Sequence, residues 1–220
     1  ICPNPHAVGS GIFIPTVFEL RQHLFANTYL SSNSMPVAEL TQTYPREISV
    51  NDSAIRLRLV TSDDKDAILS FARSLEPEDL LFLRVDITQS EVVEKWLQSI
   101  ETGQRVTVVA ELGGEIIGYG SLNRKELAWS RHLGEIRIIV HQSYRKTGLG
   151  SRLAEEVYSI ARDLGLIKIV AQMPADQPGG RRLFEGLGFK PEALLTDWVI
   201  DIEGHTHDLV VMSYDVSGIH

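Results

Sequence analysis

The sequence has little cysteine and no long apolar segment, and both absences narrow the class of protein. Cys2 is the single cysteine among 220 residues, so no disulfide can form within the chain. This favours a reducing compartment, and we expect a cytoplasmic protein. No apolar run approaches the roughly 20 residues that cross a bilayer, so we expect no membrane partner. Because the sequence begins at Ile1 rather than Met, upstream residues, including a targeting segment, are an open alternative.

Positive charge is also scarce relative to negative charge. The chain has 21 Lys and Arg against 29 Asp and Glu, a formal net charge of -8. A chain this acidic is not expected to present a nucleic-acid-binding face. Its surface more naturally attracts a cation, such as an amine or a lysine side chain. With 43% hydrophobic residues it can form one domain of ordinary size plus an extension.

Apolar periodicity and turn residues predict an alternation of strands and helices after residue 53. The predicted strands cover residues 54–60, 105–111, 116–122, 136–140, 167–173, 194–202 and 207–215. The predicted helices follow Thr61 and Thr88, the second cap being supported by Glu91, and cover about 149–164 and 179–187. The order is β-α-α-β-β-β-α-β-α-β-β, which indicates an α/β fold.

The central feature is a loop that joins the strand at residues 136–140 to the helix that begins near Leu149. Its sequence is Arg145-Lys146-Thr147-Gly148-Leu149-Gly150. Backbone N–H groups converge in such a loop, and the helix dipole adds positive potential, so it can bind an anion. Gly148 and Gly150 let the backbone approach a diphosphate closely. The spacing differs from that of a P-loop or a dinucleotide fingerprint. An ordinary glycine turn before a surface helix is the alternative.

This loop resembles the Gln/Arg-x-x-Gly-x-Gly/Ala signature of the GNAT acyltransferase superfamily. Residues 183–189, Leu-Phe-Glu-Gly-Leu-Gly-Phe, are similar to the motif that precedes the last hairpin of that family, and the element order is also the same. The resemblance covers about residues 53–216. It is strongest to the GNAT domain of protein-lysine acetyltransferases fused to acyl-CoA-synthetase-like domains. It implies the acyl-CoA N-acyltransferase fold, a mixed central sheet with a splayed strand pair flanked by helices.

The resemblance also implies acetyl-CoA as the acyl donor, with no metal. The loop residues Arg145, Lys146, Thr147, Gly148, Leu149, Gly150 and Ser151 would hold the pyrophosphate. The backbone of Ile138, Ile139 and Val140 would pair with the pantetheine arm, while their side chains belong to the core. A backbone N–H near Ile139 or Val140 would polarise the thioester carbonyl. Gln177 and Phe184 would complete the cofactor site.

Glu135 is the first candidate for a general base. It precedes the apolar run of the central strand, where the synthetase-fused enzymes have a catalytic Glu. Removal of a proton from the acceptor ammonium must precede attack on the thioester. The alternative is structural: Glu135 pairs with Arg137, which lies on the same strand face, or with Arg131.

Three residues depart from other GNAT branches. Phe184 stands where many members have a Tyr that protonates the leaving thiolate. Gln172 and Gln177 stand where ribosomal-protein acetyltransferases have a Glu base and an Asn, and Gln cannot act as a base. The synthetase-fused branch often lacks the Tyr as well, and solvent can protonate the thiolate of a thiol with a pKa of about 8.5.

The resemblance as a whole implies acetyl transfer to a primary amine, either a protein lysine or a small cationic amine. An acyl-CoA-binding regulatory module without turnover is the alternative.

Other residues offer weaker candidates. His132 could relay a proton, although a surface histidine is the simpler interpretation. His205 and His207 could form a metal pair, but no third ligand is evident, which favours solvated histidines. Trp129 could flank an acceptor channel or cover an edge.

Residues 1–52 are predicted to be an N-terminal extension, and residues 53–217 the acetyltransferase domain. Within the extension, residues 16–30 read as a helix with Val17, Leu20, Leu24 and Phe25 on one side, and a polar stretch through residues 51–53 reads as a linker. The apolar side of the helix could pack on its own domain, on a second subunit in a homodimer, or at the acceptor edge of the site. Packing on its own domain is the simplest of these.

Overall fold

The computed structural model describes residues 43–80, 83, 85–124, 129–201 and 203–217. Eight strands form one mixed sheet in the order β1-β2-β3-β4-β5-β6-β8-β7. Neighbouring strands are antiparallel except for β5 and β6, which are parallel. The strands are β1 (Arg46–Val50), β2 (Ser53–Leu59), β3 (Arg105–Leu112), β4 (Glu115–Arg124), β5 (Leu133–Val140), β6 (Lys168–Pro174), β7 (Lys190–Ile200) and β8 (Thr206–Asp215).

Helices cover both faces of this sheet, which confirms the predicted fold class. The helices are α1 (Lys65–Ser74), α2 (Pro77–Leu80), α3 (Ser90–Glu101), α4 (Leu149–Asp163) and α5 (Pro178–Gly186), with 3-10 turns at Ser62–Asp64 and Gln142–Tyr144. Leu153 and Val157 of α4 belong to a core cluster on one face. Phe71 of α1 and Trp96 of α3 belong to a second cluster on the other face. Across the described residues, no helix is both long and apolar enough to span a membrane.

The stretch before residue 53 corrects one prediction. Residues 46–50, expected to belong to a linker, form β1, which pairs with β2 through Val50 and Ser53. Asn51 and Asp52 make the turn with φ angles of 47° and 61°, in the left-handed region that Asn and Asp tolerate. The apolar alternation of Ile48 and Val50 was the signal for this hairpin. The helix predicted at residues 16–30 lies outside the described residues.

The start of α3 corrects a second prediction. Thr88 was expected to cap this helix, but its backbone N–H and its hydroxyl both donate to Asp86 Oδ1, at 3.0 and 2.6 Å. The N-cap position is therefore Gln89, one residue later. The remaining helices and strands match the predicted ones within a few residues, including the αL glycine Gly188 that follows α5.

Glycines in β4 bring α4 close to the sheet. A Cβ added to Gly120 would lie 2.8 Å from Val157 Cγ2, 3.0 Å from the Leu153 carbonyl oxygen and 3.1 Å from Ile138 Cδ1. One of these neighbours is helix backbone, which cannot turn away as a side chain can. The two small residues Gly118 and Gly120 thus allow α4, and the loop before it, to sit directly against β4 and β5.

We expect Gly120→Ala to lower the free energy of unfolding by about 1–3 kcal/mol, because α4 must move away from the sheet. Thermal or urea unfolding measures this change. Gly186→Ala in α5 is the control, since a Cβ there meets no atom within 4 Å and Ala favours a helix. Equal stability of the Gly120 variant and the wild type would contradict the close packing of α4.

Candidate active site

The two parallel strands in the centre of the sheet separate part of the way along their length. β5 and β6 pair at Leu133 with Lys168, at Gly134 with Ile169 and at Glu135 with Val170. Beyond Glu135, β5 continues to pair with β4, and β6 continues to pair with β8. A cleft of about 840 Å³ opens where the two strands diverge.

One backbone edge of β5 faces this cleft. The N–H of His141 donates to Ile117 O in the direction of β4, at 3.0 Å. Backbone groups along a strand alternate between its two neighbours, so the odd-numbered residues of β5 face β4. Ile138 and Val140 therefore direct their N–H and C=O groups into the cleft. This corrects the expectation for Ile139, whose side chain lines the cleft but whose backbone pairs with Tyr119.

The glycine loop closes the wide end of the cleft. Gly148 has a φ of 92° and is the N-cap of α4, and Lys146 has a φ of 62°. These two left-handed residues turn the backbone sharply before a 15-residue helix. Five loop residues line the cleft: Arg145, Lys146, Gly148, Gly150 and Ser151. Backbone N–H groups at this helix end, together with the helix dipole, can bind an anion.

Thr147 and Leu149 support the loop and are absent from the residues that line the cleft. The Thr147 hydroxyl donates to the Tyr144 carbonyl oxygen at 2.7 Å. The Leu149 side chain is fully buried in the core beside α4. Both were predicted to bind the cofactor, and in the structure their side chains anchor the loop.

The Arg145 side chain is bound to protein groups. Its guanidinium forms an ion pair with Asp79 of α2 and a longer one, at 3.6 Å, with Glu76. Its Nε donates to the Val140 carbonyl oxygen at 3.3 Å. Arg145 lines the cleft, but its charge is already balanced by these carboxylates, so it ties the loop to α2. This contact between distant segments carries no sequence signal of its own.

The opposite wall of the cleft comes from β6 and α5. Gln172, Gln177 and Phe184 all line it, as do Asp176 and Arg182, which sequence reasoning missed. The Phe184 side chain is buried, and its ring lies 4.9 Å from the ring of Phe189 in an edge-to-face arrangement. Phe184 therefore contributes packing and an apolar surface to the cleft.

Glu135 is the last β5 residue that pairs with β6. It is buried, and its Oε1 lies 3.8 Å from Nη2 of Arg137, which is half-buried and lines the cleft. Glu135 does not line the cleft; it directly precedes Ile136, which does, at the point where β5 and β6 separate. The Arg137 contact shows that the predicted ion pair exists.

His207 joins the terminal hairpin to the cleft. Its Nδ1 lies 2.8 Å from Asp176 Oδ2, and its Nε2 lies 3.0 Å from Asp201 Oδ2. The hydrogen bonds to Asp201 and Asp176 raise the pKa of the imidazole, and the bond from His207 lowers the pKa of Asp201 to about 2. Through these two contacts, His207 links Asp201 in the terminal hairpin to Asp176 in the loop between β6 and α5.

The other candidates lie at the surface. His132 is exposed, and Trp129 is 83% exposed. The sequence predicts no third metal ligand near His205, but the structure places two carboxylates beside it. The possible ligand atoms of Asp201, Glu203 and His205 lie within 4.8 Å of one another. Asp201 already accepts hydrogen bonds from His207 and from the backbone of the turn.

Comparison with known families decides the classification. The model of the Acetyltransferase (GNAT) family matches residues 69–189, which is more than half of the chain. This chain belongs to the GNAT family. The match includes the glycine loop and ends at Phe189, the last residue of the second motif, so it confirms the resemblance inferred from these motifs.

Solved acetyltransferase structures share the fold at low sequence identity. The yncA protein of Salmonella typhimurium, solved with its cofactor acetyl-CoA, is 21% identical with a TM-score of 0.66, covering 74% of this chain and 95% of that one. Ribosomal-protein-alanine N-acetyltransferase from Brucella melitensis is 23% identical with a TM-score of 0.65, covering 72% and 98%. The GNAT domain of S. lividans PAT is 18% identical with a TM-score of 0.64, covering 82% and 99%. At these identities the likeness establishes the GNAT fold.

Proposed function

We propose that this GNAT protein transfers an acetyl group from acetyl-CoA to a primary amine. The observation that carries the proposal is the separation of β5 and β6 beside the left-handed turn at Gly148. Along the cleft, β6 does not pair with Ile138 or Val140, so their N–H groups and the Ile138 carbonyl can bind an extended pantetheine arm. The loop at its wide end offers the N-terminus of α4 to the diphosphate. The reactive thioester then lies towards Glu135, at the narrow end.

In the proposed reaction, groups of the chain polarise the thioester and deprotonate the acceptor. The N–H of Val140 or Ile138 polarises the thioester carbonyl, because it points into the cleft from β5. Glu135, through a water, accepts a proton from the acceptor ammonium, and the neutral amine then attacks the carbonyl carbon. The C–N bond forms, the C–S bond breaks, coenzyme A leaves as a thiolate, and the nitrogen loses its second proton to solvent. Solvent protonates this thiolate, because Phe184 has no proton to donate.

The acceptor is a cation in this proposal, either a protein lysine or a small amine. The support is the net charge of -8 on the chain, which favours the approach of positively charged molecules. We also propose that the protein is cytoplasmic, that the reaction needs no metal and that the protein forms a homodimer. The division into an N-terminal extension (1–52) and an acetyltransferase domain (53–217) stays a prediction, apart from the correction at β1.

Release of free thiol in the presence of acetyl-CoA and a panel of amines tests the proposed reaction. The panel should include a lysine peptide, a polyamine and an uncharged primary amine at matched concentrations. We expect amine-dependent thiol release, larger with the cations. Binding of acetyl-CoA without release for any amine would favour the alternative, a regulatory acyl-CoA-binding module. The absence of a phenol at Phe184 and of a carboxylate at Gln172 supports that second candidate.

Phe184 provides a separate prediction. We expect Phe184→Tyr to keep or raise the turnover number, because the new hydroxyl could protonate the thiolate. Phe184→Leu should reduce stability by about 1 kcal/mol, since it loses the ring contact with Phe189, with a much smaller effect on chemistry. Unfolding and turnover should be measured on both variants. A Leu variant of normal stability that lost about a hundredfold or more in rate would give the ring a chemical role.

A further inference from the structure

The described cations that line the cleft fall into two groups. Arg137 lies near Glu135, and Arg145 is paired with Asp79 and Glu76. These two are balanced by carboxylates of the protein itself. The other two cations are Lys146, in the glycine loop, and Arg182, on α5.

Lys146 and Arg182 are exposed, and within the described part of the chain neither forms an ion pair. The described carboxylates on the cleft wall are Asp79, which is paired with Arg145, and Asp176, which is paired with His207. The cleft of this acidic protein thus carries uncompensated positive charge at two places. Two negatively charged groups on one ligand would match this arrangement.

Lys146 lies in the loop that precedes α4, Arg182 lies on α5, and these two helices approach each other. A Cβ at Gly150, in the first turn of α4, would lie 3.6 Å from Cδ2 of Leu183. Arg182 is the residue before Leu183, so it lies close to the N-terminal end of α4, which follows the glycine loop. A ligand whose first anionic group binds at the loop can therefore reach Arg182 with a second group nearby.

We propose that Arg182 binds the 3′-phosphate of coenzyme A and distinguishes it from the dephosphorylated cofactor. The inference rests on the proposed function, because it assumes that the diphosphate occupies the Gly148 loop beside Lys146. The 3′-phosphate is attached to the ribose next to that diphosphate. It is a monoester with a charge of about -1.5 to -2 at pH 7. A guanidinium can bind it through two parallel N–H donors.

The adjacent arginine provides the matched control. Arg181 forms an i,i+4 ion pair with Glu185, Nε to Oε1 at 2.7 Å, and is absent from the residues that line the cleft. Arg181 and Arg182 share the helix, the chain neighbourhood and the exposure, and they differ in the direction of the side chain. Removing either one changes the net charge of the protein equally.

Calorimetry with acetyl-CoA and with acetyl-3′-dephospho-CoA tests the proposal on the wild type, Arg182→Gln and Arg181→Gln. For acetyl-CoA we expect Arg182→Gln to raise the Kd by about five- to thirtyfold, between the values for an exposed ion pair and for a hydrogen bond to a charged group. For the dephospho compound the same change should shift the Kd by less than about twofold. Arg181→Gln should shift both values by less than about twofold.

Other outcomes overturn the assignment. Equal weakening of both ligands by Arg182→Gln would place Arg182 at the diphosphate or in packing, and unchanged affinity for both would remove it from the site. Equal affinity of the wild type for the two ligands would show that the 3′-phosphate makes no contact. If the wild type bound neither ligand, the proposed function would fail together with this inference. Binding of acetyl-CoA without discrimination rejects the Arg182 inference alone.

Discussion

Replacement of Glu135 by Gln is expected to lower the turnover number by about 10²–10⁴, the usual loss on removal of a general base. The amide keeps the shape of the side chain and its hydrogen-bonding capacity but cannot accept a proton. Affinity for acetyl-CoA should barely change, because the diphosphate site lies at the far end of β5. Steady-state kinetics with a saturating amine and calorimetry with acetyl-CoA measure the two quantities separately.

The pH dependence of the same variant gives an independent readout. In the wild type the rate should rise with pH through one apparent ionisation. In Glu135→Gln only the free amine can react, so the residual rate should keep rising to higher pH. A profile of unchanged shape would argue against proton transfer by Glu135.

A matched control separates chemistry from stability. Glu156 of α4 is also a buried carboxylate, which accepts a hydrogen bond from the Tyr44 hydroxyl at 2.8 Å and pairs with Arg46. Glu156→Gln should lower the melting temperature and leave turnover near normal. If Glu135→Gln behaved in the same way, its contact with Arg137 would be structural and the chain would have no identified base.

Replacement of Gly148 by Asp is expected to weaken acetyl-CoA binding by about tenfold or more, or about 1.4 kcal/mol. The new carboxylate would lie at the N-terminus of α4, at the proposed diphosphate site, and would repel the negatively charged diphosphate. Calorimetry on the folded variant measures the change. Unchanged affinity would move the diphosphate away from this loop.

The backbone of Gly148 makes a second variant necessary. Its φ of 92° disfavours residues with a Cβ, so some loss could come from strain. Gly148→Asn has nearly the same shape as the Asp variant and tolerates the left-handed region comparably, but carries no charge. We expect Asn to cost clearly less affinity than Asp, and the difference reports the electrostatic part. Equal losses would show that strain accounts for the whole effect.

The parts of the site that lie next to one another in sequence could be predicted from sequence. The β5 run, the glycine loop and the apolar positions of α4 follow one another within residues 133–163, and local periodicity determines each of them. The family match over residues 69–189 then confirmed the architecture that this order implied. The Asn51-Asp52 turn is also a local signal for a hairpin, but a polar stretch of this kind equally fits a linker.

Contacts between distant segments could not be predicted in this way. Arg145 belongs to the loop motif, yet its guanidinium pairs with Asp79, which lies 66 positions earlier. His207 and Asp176 meet only because β8 lies beside β6 in the sheet. The role of Ile139 depended on which neighbour its backbone faces, and this is a property of strand register. Each of these depends on pairing that single-sequence periodicity does not encode.

The most direct test of the central claim is a crystal structure of the protein with a non-hydrolysable acetyl-CoA analogue. We expect the pantetheine arm between β5 and β6, with its amides hydrogen-bonded to the backbone of Ile138 or Val140, and the diphosphate at the Gly148 loop. The analogue's carbonyl should lie nearer to Glu135 than its phosphates do. An analogue bound outside the cleft, or β5 and β6 closed along their whole length, would contradict the proposed acetyl-transfer site.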